Sequence, residues 1–415
     1  MLHLPQDDPE IAALIEKEEL RIETTLDLIA AENHSPPSIM EALGSIFNTK
    51  TIEGYPGKRF HAGCIYADEV ENLAISRARE LFSAEYANVQ PHSGTSANLA
   101  VYFSVLERGD RILSMSLPHG GHLSHGHRAS ITSKCFDFAH YAVDSATERI
   151  DYDEVRSIAE RFRPKMIVAG ASSYPRLIDY EKMSSIARDV SAYLFADMAH
   201  LGGLVAAKVI PSPVPYCDFV TFTCYKTMMG GRGGVILCKG EYGRKVDSAV
   251  FPGCQGTSPV NVIAAKAVIF KLAMRQDFID IQKKTLENAV VLAEELARRG
   301  YRIVTGGTDN HQVLVDVTSK GFNGAASEKA LESVGITANR NVIPADARNP
   351  GSISGMRLGT AGLSTRGMGK EQMAQIAELI DTTLANIGND SKLKEISRKV
   401  ESLAREFPVY RDGGK

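Results

Sequence analysis

Short apolar runs alternate with amphipathic stretches along the first two thirds of the chain. Residues 8–26, for example, place isoleucine and leucine among charged positions at the spacing of a helix. Strands that alternate with helices are typical of a mostly parallel sheet with both faces covered. We therefore predict an α/β fold, with an N-terminal arm and a large domain over residues 1–275. The apolar runs are RILSM at 111, MIVAGAS at 166, AYLFADM at 192, FVTFT at 219 and GGVILCK at 233.

The pattern changes near residue 260, where a long helical stretch over 260–300 begins. Short apolar runs and amphipathic helices are mixed after it, which predicts a small α+β C-terminal domain. We assign this domain to residues 276–415. The runs begin at 312, 336 and 356, and the helices cover about 325–335, 369–388 and 391–406.

One helix start carries a specific signature. Asp68 and Glu71 form a D-x-x-E pattern, in which each side chain can cap backbone amides of the first turn. The pattern predicts a capping box that opens a helix leading toward residue 82.

Composition narrows the class of protein. The 415 residues are 44% apolar and 23% charged, with a net charge of −3, so the chain has no basic field for nucleic acid and no polybasic membrane anchor. No segment approaches the roughly 18 apolar residues of a membrane span. Six dispersed cysteines without a C-x-x-C pair, and an acidic N-terminus without a signal-peptide core, predict a cytoplasmic protein.

Two charged residues follow strand candidates. Asp197 ends the run AYLFAD, and Lys226 lies between FVTFT and the glycine-rich GGRGG. Ligands of α/β sheets bind outside the carboxyl ends of the strands. A lysine there can form a Schiff base with pyridoxal phosphate, and an upstream carboxylate can pair with its pyridinium nitrogen. The spacing alone also fits a surface lysine and a helix-capping aspartate.

Ser93, Gly94 and Thr95 directly precede a predicted helix in the segment VQPHSGTSANLA. Backbone amides at a helix start, together with the positive helix end, suit a phosphate, and the two hydroxyl groups can add hydrogen bonds. An N-cap turn without a ligand fits the same residues.

Four histidines in PHGGHLSHGH, at positions 119, 122, 125 and 127, raise the question of a metal site. The Gly-Gly pair indicates a loop, no cysteine or carboxylate cluster accompanies the histidines, and their spacing is not that of a zinc protease. We therefore predict no metal, and we interpret His122 as a ring stacked on a flat cofactor.

A loop over residues 51–71, TIEGYPGKRFHAGCIYADEVE, is rich in functional groups. Loops of this kind often build binding sites, although a solvated surface loop fits equally. Its candidate site residues are Glu53, Tyr55, Lys58, Arg59 and His61.

Together these segments resemble the serine hydroxymethyltransferases from about residue 8 to residue 390. The resemblance implies the type I fold of pyridoxal-phosphate-dependent transferases, with a mainly parallel seven-stranded sheet and a small C-terminal domain. It also implies a homodimer with shared active sites, possibly a tetramer, that moves a one-carbon unit between serine and tetrahydrofolate. The matching segments, in order, are ENHSPPSIMEALGSIFNTK, EGYPGKR, ANVQPHSGTSAN, HGGHLSHG, ADMAHLGGLVA, YKT followed by GGRGG, and SGMRLGT.

The resemblance also implies residue roles. Lys226 is the Schiff-base lysine, Asp197 pairs with the pyridinium nitrogen, and His122 stacks on the ring. Arg357 binds the substrate carboxylate, and Glu53 of the partner subunit handles proton transfers. His200 and Ser172 lie near the phenolic oxygen, Ser93, Gly94, Thr95 and the partner subunit's Gly256 bind the phosphate, and Leu117, Leu123 and Asn341 line the folate site.

Several positions depart from the family pattern and leave the amino-acid substrate open. Thr51 and His61, which we predict to contact the substrate, stand where the family has tyrosines. T-x-E-G-Y-P-G-K-R-x-H resembles the α-methylserine hydroxymethyltransferase branch, which uses D-alanine as acceptor. The sequence also fits a folate-independent aldolase or transaldolase, and a catalytically silent regulatory paralogue. The remaining departures are Ala31 for serine, Tyr225 for histidine and Thr257 for glycine.

Overall fold

The computed structural model describes residues 3–344, 346 and 353–410. Contacts divide the described residues into two compact units. One unit contains those within 35–283, and the other contains those within 1–34, 284–346 and 350–415. No helix in the described ranges is long and apolar enough to cross a membrane.

The first unit is built on the predicted seven-stranded sheet. All five strands expected from apolar runs are present, and two more, Tyr86–Asn88 and Asp137–Tyr141, complete the sheet. Gly234–Cys238 is antiparallel to both of its neighbours, whereas the other strand pairs are parallel. The spatial order is Tyr86–Asn88, Gly234–Cys238, Phe219–Thr223, Tyr193–Asp197, Met166–Gly170, Arg111–Met115 and Asp137–Tyr141.

The central strands are buried along their whole length. Met166–Gly170, Phe219–Thr223 and Gly234–Cys238 each bury all five residues, because helices cover both faces of a sheet of this type. Because most of the strands are parallel, their carboxyl ends meet along one edge of the sheet, where a ligand-binding site can form. The helices of this unit are Pro37–Leu43, Ile65–Phe82, Gly94–Val105, Thr132–Cys135, Tyr152–Phe162, Tyr180–Asp189, Gly202–Ala206, Gly243–Ser248 and Val260–Ala273.

The predicted capping box is wrong. The helix Ile65–Phe82 begins earlier, and its first residue follows Cys64, which makes no side-chain cap. Asp68 and Glu71 lie inside the helix and bind Arg59 instead, at 2.7 Å and 2.5 Å. A guanidinium group offers two charge-assisted hydrogen bonds, which outcompete the neutral amides of a helix start.

The second unit contains a four-stranded antiparallel sheet. Its order is Arg302–Ile303, Gln312–Asp316, Gly355–Gly359 and Asn339–Asn341. The run predicted at 336 is split, since Ile336–Thr337 pairs in parallel with Leu26–Asp27 and only the residues after Ala338 join the larger sheet. The helices of this unit are Leu4–Asp7, Pro9–Thr24, Gly324–Ser333, Ala361–Thr365, Lys370–Ala385 and Asp390–Glu406, and Gln276–Arg298 contains the boundary between the units.

Arg366 binds the N-terminal arm to the last described helix within this unit. Its buried guanidinium donates to carbonyl oxygens of the arm, including those of Ile22 (3.1 Å) and Thr25 (2.8 Å). It also donates to those of Ala404 (2.6 Å) and Phe407 (2.7 Å). The arm therefore groups with the C-terminal residues by contacts, whereas we expected it with the large domain.

The division of the chain at residues 275/276 into two folding domains stays a prediction. By contacts, the boundary lies at residues 283/284, inside the long helix. The helical stretch predicted over 260–300 is two helices, Val260–Ala273 and Gln276–Arg298.

Candidate active site

The residues predicted to bind an anion surround the start of the helix Gly94–Val105. Ser93 is its N-cap: the Ser93 hydroxyl accepts from the Ser96 amide (3.1 Å), and the Ser96 hydroxyl accepts from the Ser93 amide (2.8 Å). Gly94 lets the helix lie close to the sheet, because a Cβ there would come within 2.7 Å of the Thr223 methyl group. The helix start thus combines a capped turn with a positive end, as a phosphate cradle requires.

A fully buried lysine fixes the chain that leads into this turn. The Lys266 ammonium donates to the carbonyl oxygens of Val89 (2.6 Å), Pro91 (3.0 Å) and Gly234 (2.9 Å). Burial lowers the pKa of Lys266 to about 8, and a buried ammonium is tolerated only where its donors are satisfied. Lys266 therefore holds the segment that precedes Ser93 against a neighbouring strand.

Asp197 lies at the carboxyl end of a central strand and is almost fully buried. Its Oδ2 accepts from Asn98 Nδ2 (2.8 Å) and His125 Nε2 (2.9 Å), and its Oδ1 accepts from the Ala199 amide (2.9 Å). Burial alone would raise the pKa of Asp197, but the hydrogen bonds from His125 and Asn98 hold it well below its usual range. Because a carboxylate has about four lone-pair positions, Asp197 keeps an acceptor position for a cationic ligand.

Hydrogen bonds assign the ring protons of two histidines beside Asp197. The Ser124 amide donates to Nδ1 of His122 (3.2 Å), and the His122 amide donates to Nδ1 of His125 (3.3 Å). Each ring therefore carries its proton on Nε2, from which His125 donates to Asp197. Burial lowers the pKa of His122 to about 4, so its ring is neutral and suits stacking on a flat cofactor.

A carboxylate does lie beside these histidines, which corrects one reason for predicting no metal. His122, His125 and Asp197 have ligand atoms within 4.8 Å of one another. The hydrogen bond between His125 and Asp197 already uses one ligand atom of each residue. The absence of a metal role stays a prediction.

Lys226 lies just past the end of a central strand, and its neighbour Thr227 fixes the backbone there. The Thr227 hydroxyl donates to the His200 carbonyl oxygen (2.8 Å) and accepts from the Gly203 amide (3.0 Å). A glycine is required at position 203, because a Cβ would overlap the carbonyl group of Thr227. The strand end carrying Lys226 is thus held against the segment that follows Asp197.

These side chains meet in one cleft of about 470 Å³, measured with its opening to solvent. Nε2 of His200 lies 3.4 Å from the Ser172 hydroxyl within it. All the residues predicted to hold the cofactor except Gly256 line this cleft. Its lining consists of Ser93, Gly94, Thr95, Asn98, His122, Ala171, Ser172, Asp197, Ala199, His200, Thr223, Tyr225 and Lys226.

Sequence reasoning missed Asn98 and His125. Asn98 donates to Asp197 and accepts from the Thr221 hydroxyl (2.7 Å), so it bridges the helix and two strands. Its position one helical turn after Gly94 was an available signal. No signal distinguished His125 from its neighbouring histidines, because its partner lies 72 residues away.

Glu53, Thr51 and His61 lie outside this cleft, in a segment of the same unit that contains a short hairpin. The strands of this hairpin are Gly54–Tyr55 and Lys58–Arg59. The Glu53 carboxylate is 3.3 Å from His61 Nε2, and the two side chains are 41% and 46% exposed. Gly256 also lies outside the cleft, with open space around it. These four residues therefore do not line the cleft that contains Lys226.

The residues predicted to bind folate and the substrate carboxylate fall in both units. Leu117 and Leu123 are exposed in two short turns of the first unit. Asn341 and Arg357 belong to neighbouring strands of the second unit, where Arg357 Nε donates to Asn339 Oδ1 (3.2 Å). Burial lowers the pKa of Arg357 to about 10, which leaves the group charged at neutral pH.

The model of one protein family, described as serine hydroxymethyltransferase, matches residues 4–380. The match covers both units and gives the family without singling out a branch. This chain belongs to the serine hydroxymethyltransferase family, and it is a transferase that uses pyridoxal phosphate and tetrahydrofolate to interconvert serine and glycine.

Proposed function

We propose that the cleft around Lys226 is where this chain holds pyridoxal phosphate and acts on its amino acid. One observation carries the proposal: a lysine past a strand end, an ionised buried aspartate and a capped helix start line the same cleft. These groups fit the aldehyde carbon, the protonated ring nitrogen and the phosphate of one cofactor. When bound, the cofactor supplies an electron sink for the α-carbon of the amino acid.

Each side chain of the cleft has a separate role in binding the cofactor. Lys226 anchors the cofactor covalently, Asp197 keeps the ring nitrogen protonated, and the His122 ring stacks on the cofactor. Ser172 and His200 contact the phenolic oxygen, and the helix start at Ser93–Thr95 holds the phosphate. Asn98 and His125 act through Asp197, because their hydrogen bonds stabilise its charged form.

Substrate binding falls to residues outside the cleft. The Arg357 guanidinium binds the amino-acid carboxylate through two parallel hydrogen bonds. Glu53 exchanges protons with the substrate hydroxyl and with folate, since a carboxyl group can accept and return a proton during turnover. Leu117 and Leu123, which are exposed in the first unit, contact folate, and Asn341 of the second unit has the same role.

A substrate panel tests this function. The purified protein should be yellow, and it should cleave serine with tetrahydrofolate present and far more slowly without it. Serine, α-methylserine, threonine and D-alanine are compared with and without folate. Folate-independent cleavage of threonine would favour an aldolase or transaldolase instead, and no turnover of any substrate would favour a silent regulatory paralogue.

We propose that the active unit is a homodimer or a tetramer, in which Glu53 and Gly256 contribute to the cleft of the partner subunit. Neither residue lines the cleft of its own chain. Large apolar side chains are exposed in and around the Glu53 hairpin, as expected of a surface covered by another subunit. They are Ile46, Phe60, Ile65 and Tyr66.

Mixing two inactive variants tests the shared site. Lys226→Ala and Glu53→Gln chains, unfolded and refolded together, form mixed dimers in half of the cases. Each mixed dimer has one complete site, so we expect about a quarter of wild-type activity, measured as serine cleavage. Activity no higher than that of either variant alone, in samples that ultracentrifugation shows to be dimers, would place Glu53 in its own chain's site.

The finer proposal concerns the amino acid: we propose that the enzyme also accepts α-methylserine, with D-alanine as acceptor. Thr51 is an exposed side chain where the family has a phenol ring. The missing ring leaves room for a methyl group on the α-carbon. A pocket discriminates by only about 1–3 kcal/mol per methylene, so serine remains a substrate.

Thr51→Tyr should shift the ratio of kcat/KM for α-methyl-L-serine to that for L-serine toward serine by roughly 10- to 200-fold. The restored ring refills the space around the α-carbon. Thr49→Tyr is the matched control, because Thr49 is also exposed and lies two residues away. If wild type does not turn over α-methylserine and Thr51→Tyr changes nothing, the enzyme is specific for serine.

We also propose a reducing, cytoplasmic location. All six cysteines lie among the described residues, and each is free. Disulfides are rare in reducing compartments.

A further inference from the structure

We infer that His61 orients the Glu53 carboxylate and that Arg59 and Thr257 fix the backbone that carries it. The inference rests on the proposed role of Glu53 in proton transfer. It assigns His61 as a positioning residue, which acts through Glu53.

One guanidinium group holds the backbone on both sides of Glu53. Nη1 of Arg59 donates to the carbonyl oxygens of Ile52 (3.0 Å) and Gly54 (2.6 Å). The other nitrogens of Arg59 bind the two carboxylates of the neighbouring helix, and its side chain is only 4% exposed. A buried guanidinium group held by two carboxylates has little conformational freedom. The peptide groups on both sides of Glu53 are therefore fixed.

A threonine hydroxyl adds a second anchor. The Ile52 amide donates to Thr257 Oγ1 (3.0 Å), and Nε2 of His92 lies 2.9 Å from the Thr257 carbonyl oxygen. His92 directly precedes the N-cap residue Ser93. Thr257 thus joins the segment that carries Glu53 to the phosphate-binding turn, whereas the glycine of the family pattern has no hydroxyl group to accept this hydrogen bond.

Further contacts join the two ends of the segment that carries Glu53 and His61. The Phe60 amide donates to the Glu53 carbonyl oxygen (3.0 Å), and the Cys64 thiol lies 3.3 Å from the His61 carbonyl oxygen and 3.7 Å from that of Thr51. These contacts bring the two arms of the hairpin together. With its backbone held, Glu53 keeps only side-chain freedom, and the imidazole 3.3 Å from Oε2 limits that freedom.

Three of the five departures from the family therefore lie in, or contact, the segment that carries Glu53. Thr51 and His61 replace phenol rings, and Thr257 replaces a glycine. The smaller Thr51 opens space beside the substrate, while the His61 Nε2 lies 3.3 Å from the Glu53 carboxylate and the Thr257 hydroxyl accepts from the Ile52 amide. The chain thus enlarges the pocket and keeps the proton-transfer group in place, with Oε1 of Glu53 left for the substrate.

Two substitutions of His61 separate orientation from bulk. His61→Phe keeps a flat ring and removes the ring nitrogens, so we expect kcat for β-hydroxy-amino-acid cleavage to fall roughly 10- to 100-fold, less than the roughly 10²- to 10⁴-fold contribution of an acid–base group itself. His61→Gln keeps a donor and should stay within about fivefold. The dissociation constants of cofactor and amino acid, from spectral titration, should not change. In the Glu53→Gln background, His61→Phe should cost nothing further, because both changes remove one function.

Two structural readouts decide the inference independently of turnover. A crystal structure of His61→Phe should show the Glu53 carboxylate displaced, and Thr257→Gly should speed hydrogen exchange at the Ile52 amide several-fold, whereas Thr257→Ser should not. An unmoved carboxylate with unchanged kcat in His61→Phe overturns the role of His61, and equal exchange in both Thr257 variants overturns that of Thr257. If wild type cleaves no β-hydroxy amino acid, the proposed function fails, but these two readouts still decide the inference.

Discussion

Lys226→Ala should reduce kcat for serine cleavage by roughly four to six orders of magnitude, the scale seen when a covalent catalytic group is removed. Lys226 is the lysine that lines the cleft with Asp197 and the phosphate-binding turn. An alanine cannot form the covalent link to the cofactor, although cofactor can still bind through its phosphate and ring. Lys239→Ala, which removes a half-exposed lysine on the same sheet, is the matched control and should remain active.

Borohydride reduction followed by peptide mapping checks the assignment directly. The label should appear on Lys226 and should be absent from Lys226→Ala. Lys266 is a useful internal comparison, because it is also buried, but its ammonium is committed to three carbonyl oxygens. A label on Lys266, or on any other lysine of the wild type, would reject the proposed role of Lys226.

Asp197→Asn should lower kcat by roughly 10²- to 10³-fold, the usual effect of removing one preorganised electrostatic contact. An amide carries no charge to keep the ring nitrogen protonated. Its oxygen can still accept from Asn98 and His125, so the fold should survive, while the Ala199 amide loses its acceptor at a cost of about 1–3 kcal/mol.

Asp218→Asn is the matched control for this change. Asp218 is also hydrogen-bonded, to the Leu194 amide (2.8 Å) and to Lys239 (2.6 Å), but it lies at the amino end of its strand. Steady-state kinetics and thermal unfolding are measured for both variants. Equal losses of kcat in the two would mean that Asp197 acts only through stability.

Much of the fold was predictable because burial leaves a local signal. The strands starting near 166 and 234 are continuous apolar runs, and the one near 219 is interrupted only by threonines, since both faces of the sheet are covered. The edge strand Asp137–Tyr141 was missed because it is only partly buried and its polar residues break the run. Tyr86–Asn88 was missed because three residues are too few to show a period.

The wrong capping box and the missed His125 share a different cause. Asp68 and Glu71 fit a local capping pattern, but both form ion pairs with Arg59, which lies in the preceding hairpin. His125 likewise takes its role from Asp197, which is distant in sequence. Local patterns identify residue types that can do chemistry, whereas long-range contacts decide which of them do.

The Arg366 contacts couple the local unfolding of two segments that are distant in sequence. One buried guanidinium holds carbonyl groups of the arm and of the last described helix, so neither segment can open without leaving donors unsatisfied in a buried place. The two segments should therefore behave as one cooperative unit in native-state amide exchange, with a shared opening free energy. Removing the arm by truncation or by proteolysis should therefore raise amide hydrogen exchange throughout the helix Asp390–Glu406.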